Sequence, residues 1–271
     1  LFKDQHYADA AEAFRLAAFL SPGDAAARTQ ARRAGEAYRL SQIRRIETDA
    51  ALDPAPGQEA AAYADIARLL DLGANDTAEL RERLSRLRGR LPAADYDRLA
   101  RAAYEPRSLA ARALSDAGRI GDALKVCDTL AVLESTGTAP GVRELRAGSE
   151  ERGAAVRATF ASLSANRGAG SSEAALARAG LALKRAFPDD RAAVRRVDAA
   201  LARYRADHPL TIKETFYLHK LYLLAALRYA QGADGDAAYG TSLLEEVLRR
   251  DPADADADAL LGVMRARAER R

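Results

Sequence analysis

In the stretch YADAAEAFRLAAFLSPGD (7–24), Tyr7, Ala10, Phe14, Ala17 and Leu20 follow one another at gaps of 3, 4, 3 and 3 and then meet Pro22. Such gaps lay all five on one face of an α-helix, and a proline, having no amide hydrogen, cannot continue it. Small Ala10 and Ala17 let a second helix come close, while Phe14 fills the space between them. The frame recurs in GRIGDALKVCDTLAVL (118–133) as Ile120, Ala123, Cys127, Leu130 and Leu133. Gly118 stands just before it, where a tight turn between paired helices calls for a residue without Cβ. A third copy, GDAAYGTSLLEEVLRRDP (235–252), supplies Gly235, Gly240, Leu244, Val247 and Pro252. SEAALARAGLALKRAFPDD (172–190) fits after a shift of one residue. A chain written this way is confined to paired helices that bury one face each.

The rest of the chain agrees. Apolar residues at helical spacing predict helices near 7–20, 24–51, 57–72, 77–90, 93–103, 107–117, 119–134, 141–164, 172–186, 189–206, 211–231, 237–250 and 253–269. The short connections favour antiparallel neighbours. SPGD (21–24), DPAPG (53–57), FPDD (187–190) and DPAD (251–254) mark ends and beginnings of helices. Asp76 and Glu79 have capping-box spacing. The Gly-, Ser- and Thr-rich stretches ESTGTAPG (134–141) and NRGAGSS (166–172) are the expected joints. The expected organisation is an array over 1–135 that continues into a second over 136–271.

Sparse Val and Ile argue against a large sheet, and 30% charged residues with 48% apolar ones suit packed helices rather than disorder. The net charge is only +3, and the two signs are interspersed, which reads as solvated helix faces and not as a nucleic-acid tract. Arg greatly outnumbers Lys, which points to a GC-rich genome more than to recognition chemistry. No apolar run is long enough to span a membrane. The densest, TFYLHKLYLLAALRYA (215–230), carries His219, Lys220 and Arg228 and reads as a core helix. The sequence begins at Leu1 without Met, and the expectation drawn from this is a trimmed or processed chain that has lost any signal peptide or lipid anchor.

The frame resembles the second helix of the tetratricopeptide repeat, with its turn glycine, a small residue five later, a large apolar residue four further on and a closing proline. The resemblance covers about half the chain; residues 24–106 and 141–170 do not carry it recognisably, and the 107–134 copy lacks the proline. It implies an all-α fold, an α-α superhelix or solenoid of antiparallel hairpins, with a non-repeating helical bundle as the alternative.

Little in the sequence looks like chemistry. Cys127 lies mid-helix on the apolar face with Lys125 and Asp128 as its near charges and no histidine close in sequence, so it reads as a core residue rather than an activated thiol. One cysteine forms no internal disulfide and leaves the redox compartment open. His6, His208 and His219 form no metal-ligand motif; the first two are expected at the surface and the third packed. Asp254, Asp256 and Asp258 alternate as in a calcium loop, but Ala259 occupies the glycine position and Arg265 the twelfth, so the acids read as helix-start residues favoured by the dipole. In ELRERLSRLRGRL (79–91), Leu80, Leu84, Leu87 and Leu91 form a helix-contact seam and the arginines a solvated face, with a phosphate or lipid-headgroup surface as the alternative. NRGAGSS lacks the lysine and the preceding strand of a phosphate loop.

The expected function is therefore a non-catalytic scaffold or adaptor that binds a protein or peptide partner, without cofactor, metal, nucleic acid or membrane span. Candidate contact residues are Ser108, Arg112 and Ser115 on one helix and Tyr217, Lys220 and Arg228 on another. The Lys and Asn clamp with which the tetratricopeptide family holds C-terminal carboxylates is not evident. Three settings stay open: the soluble part of a bacterial envelope protein, a cytoplasmic regulator fused to another domain, and a small-ligand-binding helical domain or a cryptic hydrolase. The missing Met favours periplasm or envelope over cytoplasm. Oligomeric state is not legible.

Overall fold

The computed structural model describes residues 6–22, 24–49, 54–55, 57–73, 77–134, 141–166, 172–232 and 236–268. Among them are twelve helices: α1 (Tyr7–Leu20), α2 (Ala25–Asp49), α3 (Glu59–Asp71), α4 (Thr77–Arg90), α5 (Ala93–Asp116), α6 (Ile120–Glu134), α7 (Val142–Ala165), α8 (Glu173–Ala186), α9 (Arg191–Asp207), α10 (Ile212–Ala230), α11 (Ala237–Arg250) and α12 (Ala255–Ala268). No strand occurs among the described residues. The fold is all-α, and most helix limits fall within two residues of the periodicity. Asp76, the first half of the expected capping box, and most of both expected joints lie outside the described residues.

Two compact units make up the chain. The first takes residues 1–14, 28–112 and 123–148; the second takes 15–27, 113–122 and 149–271.

In the first unit α3 and α4 pair. Their inward residues Tyr63, Ile66, Leu69, Leu70, Leu80, Leu84 and Leu87 are buried with Tyr96 and Ala100 of α5, and the Tyr63 and Tyr96 rings meet edge to face at 5.5 Å. The leucine seam of 79–91 is thus a contact face. Two of its arginines form ion pairs one turn apart, Arg83 with Glu79 and Arg86 with Glu82.

The structure corrects one boundary. The sequence predicts a helix break at 104–106, yet α5 runs unbroken through Pro106. The lost amide is outweighed by packing on both sides of the proline, where Tyr96 and Ala100 enter one apolar cluster and Tyr104 and Ala111 another. Arg107 adds a clamp. It donates to both carboxylate oxygens of Asp71 at 2.7 and 2.5 Å, to the Ala67 carbonyl at 3.0 Å, and to the Ala103 carbonyl one turn back at 2.5 Å.

The second unit is built from the pairs α8–α9, α10–α11 and α11–α12, and α12 also touches α8 and α10. Leu218, Leu221, Tyr222, Ala225, Leu244, Val247, Leu260 and Met264 form its main apolar cluster. Leu16 and Phe19 pack against this cluster, and the Phe19 ring stands edge-on to Tyr229 at 5.4 Å.

Burial also ranks the copies of the repeat frame. In the second copy Ile120, Ala123, Cys127, Leu130 and Leu133 are all at most 2% exposed, and Gly118 takes φ +74°, a value only glycine adopts without strain. Leu244 and Val247 of the third are fully buried. The first copy matches best in sequence but is the least buried: Ala17 and Leu20 are exposed, and it is Leu16 and Phe19 that enter a core. A helix face is chosen by its neighbours, and spacing alone does not name them.

Candidate functional site

The C-terminal unit presents two features on and around α10. The helix begins at a capping box. Thr211 Oγ1 accepts from the Glu214 amide at 3.2 Å, and Glu214 Oε2 accepts from the Thr211 amide at 2.9 Å and from its hydroxyl at 2.7 Å. These bonds hold the Glu214 carboxyl below its ordinary range. The sequence reading passed over this motif, although Thr-x-x-Glu after His208 and Pro209 is its signature. Before it, His208 ends α9, stacked on Tyr204 at 4.5 Å and facing Glu173 at 3.5 Å.

The first feature is an apolar ridge. Ile212 is 80% exposed, Phe216 74% and Leu227 50%, and they fall on one stripe of α10, while Leu223 between them packs against the core. Exposed Lys213 and Lys220 run along one edge of that stripe. Isolated exposed apolar residues need no explanation, but a stripe of large ones along four turns does. TFYLHKLYLLAALRYA is therefore not a wholly buried core helix. Leu218, Leu221, Tyr222, Ala225 and Ala226 face the core while Phe216 and Leu227 face outward.

The second feature is an acidic pocket of about 360 Å³ between the end of α9, the first half of α10 and the α11–α12 turn. Asp251, Asp254 and Asp256 come from the turn, His219 and Tyr222 from α10, and Arg205 from α9. The local sequence dictates the turn. Asp254 caps α12, its Oδ1 accepting from the amides of Asp256 at 3.1 Å and Ala257 at 2.9 Å, and Asp251 accepts from Ala253 at 3.0 Å. Burial pushes the Asp254 carboxyl up, against the Ala257 amide bond, and the charges of Asp251 and Asp256 push it further. The same cause acts on Asp258, 8% exposed, whose carboxylate meets Arg185 at 3.2 Å. Helix-start chemistry thus accounts for where these acids stand, but not for their burial.

His219, expected to be packed, is exposed at the pocket mouth, because its position on α10 falls between the buried face and the ridge. Among the described residues, no three His, Cys, Asp or Glu converge to hold a metal, and no helix is long and apolar enough to cross a membrane.

The expected contact residues are placed as follows. Tyr217 is 43% exposed, with the Arg250 guanidinium 4.9 Å from its ring centre. Lys220 is exposed beside the ridge, and half-buried Arg228 donates to Gln231 at 3.1 Å and lies 5.8 Å from the Tyr239 ring. On α5, Arg112 is exposed, while the half-buried Ser108 donates to the Glu105 carbonyl at 2.9 Å. Ser115 is buried, and its hydroxyl oxygen receives bonds from Ser149 at 3.2 Å and Arg152 at 3.0 Å. The i, i+4, i+7 spacing thus leaves Ser115 turned inward. The sequence reading passed over Tyr222 and the Asp251–Asp254 turn as pocket residues; the alternating acids were the one available signal.

Comparison of the chain with family models, with curated proteins and with solved structures gave no match.

Proposed function

We propose that the chain is a non-catalytic binding scaffold of helical hairpins, tetratricopeptide-like in its repeat frame, whose α10 ridge receives an amphipathic helix of a partner protein. The observation that carries this reading is the outward stripe of Ile212, Phe216 and Leu227 on a helix whose other face is firmly packed. Helix recognition uses anchors on one face of a helix, as Ile212 and Phe216 at i, i+4 and Leu227 three turns on provide. Lys213 and Lys220 on one edge favour an apolar stripe bordered by Asp and Glu in the partner. The buried second copy of the frame and the positive φ of Gly118 support the hairpin-repeat part of the proposal. The contacts of α12 with α8, and of Phe19 with Tyr229, go beyond the nearest-neighbour stacking of a simple solenoid.

The test uses two synthetic helical peptides with the same leucine stripe, one bordered by Glu and one by Lys, titrated into the ¹⁵N-labelled chain. The Glu-bordered peptide is expected to shift α10 amides saturably and to lose at least ten-fold in affinity against Phe216→Glu, while Arg112→Glu on α5 changes nothing. Equal binding of both peptides, or shifts that persist in Phe216→Glu, would remove the ridge from the proposal. The acidic pocket supports a second reading, a small-ligand-binding helical domain.

A further inference from the structure

Tyr222 is the residue of the acidic pocket that packing does not explain. It lines the pocket and is 3% exposed, and its hydroxyl is buried without a hydrogen-bond partner. A phenol in that position loses its water and regains nothing from the protein, whereas a phenylalanine would fill the same space at no such cost. Burial raises the phenol's pKa, and the charges of Asp256 and Asp254, which line the same pocket, raise it further.

Arg205 and His208 are engaged. Arg205 donates to the Ala253 carbonyl at 3.1 Å and lies 3.8 Å from Asp251, which removes it as an anchor for an anion. His208 is turned to the Tyr204 carbonyl at 3.2 Å and to Glu173. Leu210 and Leu218 make an apolar wall, and Thr215 adds a hydroxyl. The pocket lining therefore combines a phenol and carboxylates with hydrocarbon. An ammonium group brings three donors and a positive charge, which answers all of these acceptors at once, and an aliphatic stem answers the wall.

We propose that this pocket binds a small alkylammonium compound, its head group bonded to Tyr222 Oη and held by Asp254 and Asp256, its stem against Leu210 and Leu218. The site is separate from the α10 ridge and stands or falls independently of the scaffold reading. The same head group ends a lysine side chain, so a free amine and a peptide lysine share this chemistry.

Calorimetric titration of the full chain tests it with 1,4-diaminobutane, its neutral counterpart butane-1,4-diol, and Nα-acetyl-lysine methylamide. The diamine is expected to bind saturably at one site and the diol not at all. Tyr222→Phe and Asp254→Asn should each weaken the diamine at least ten-fold while the helical circular dichroism is retained; Asp256→Asn replaces either variant that fails to fold. A lysine derivative that binds as tightly as the diamine supports the site with a peptide lysine as its natural occupant, and one that binds more weakly supports it with a free amine. No saturable binding, equal binding of the diol, or undiminished binding by the variants overturns the proposal.

Discussion

Phe187 lays the edge of its ring against the backbone of Gly153. A Cβ added at Gly153 would stand 2.8 Å from Phe187 Cζ and 3.2 Å from Ile120 Cγ2. The ring is fixed from its face as well, with the Arg157 guanidinium 3.7 Å from its centre. Gly153 therefore sits in the middle of α7 because two helices and a loop residue meet there. Five residues earlier on the same helix, Gly148 has open space where its Cβ would be. The two glycines should respond oppositely to alanine. Gly148→Ala is expected to stabilise by up to about 1 kcal/mol through helix propensity. Gly153→Ala gains the same term but incurs an overpacking cost of about 1–3 kcal/mol, so it should be neutral to destabilising, and Gly153→Leu strongly destabilising. Urea unfolding midpoints at equal slope check both.

Cys127 stands fully buried beside Ala111, Leu130 and Val142. A thiolate reagent needs access that this position denies. The native chain should resist labelling, with modification following the unfolding rate rather than reagent concentration. Cys127→Ala is expected to cost about 1 kcal/mol, as a small cavity does, and to leave diamine and peptide binding intact. Rapid labelling of folded protein would show that α6 opens locally.

The Arg107 clamp depends on a planar fork. One guanidinium meets the Asp71 carboxylate in two bonds and also reaches the carbonyls of Ala67 and Ala103. Lysine offers a point charge instead, so Arg107→Lys should recover little of the loss in Arg107→Ala. Both should lower stability by about 1.5–3 kcal/mol, the range for hydrogen bonds to charged groups. Thermal melts of the three chains decide it. Full rescue by lysine would mean that charge alone matters here.

Asp254 provides a pH test with a definite sign. Burial raises its native pKa above the ordinary value of about 3.9. Between those two values the folded chain holds a proton that the unfolded chain has released, so stability falls as pH rises through this window. Asp254→Asn keeps the capping oxygen for the amides of Asp256 and Ala257 but removes the charge. Its melting temperature should equal that of the wild type below about pH 3, exceed it increasingly as the pH rises from the unfolded to the raised native pKa, and keep a constant excess above that. Comparing the two chains reads the Asp254 charge together with its coupling to Asp251, Asp256 and Arg205. A variant less stable than wild type at neutral pH would mean that a neighbouring cation, not burial, governs the carboxyl.

The periodicity of the chain by itself determined that it is helical, where most helices begin and end, and that Cys127 and the Leu80–Leu84–Leu87 seam face inward. These properties are local: a 3.6-residue repeat, a proline, a glycine at positive φ and a capping carboxylate act within one or two turns. What lay beyond one turn was decided by the tertiary structure. Pro106 stays inside α5 because apolar clusters on both sides outweigh one missing hydrogen bond. Leu16 and Phe19, not Ala17 and Leu20, enter a core because Tyr229 stands where they point. The pocket joins Tyr222 to Asp254 from helices apart in sequence, and no spacing rule links a buried tyrosine to an acidic turn. Spacing defines a face of each helix; only the neighbour that arrives there determines whether that face becomes core, ridge or site.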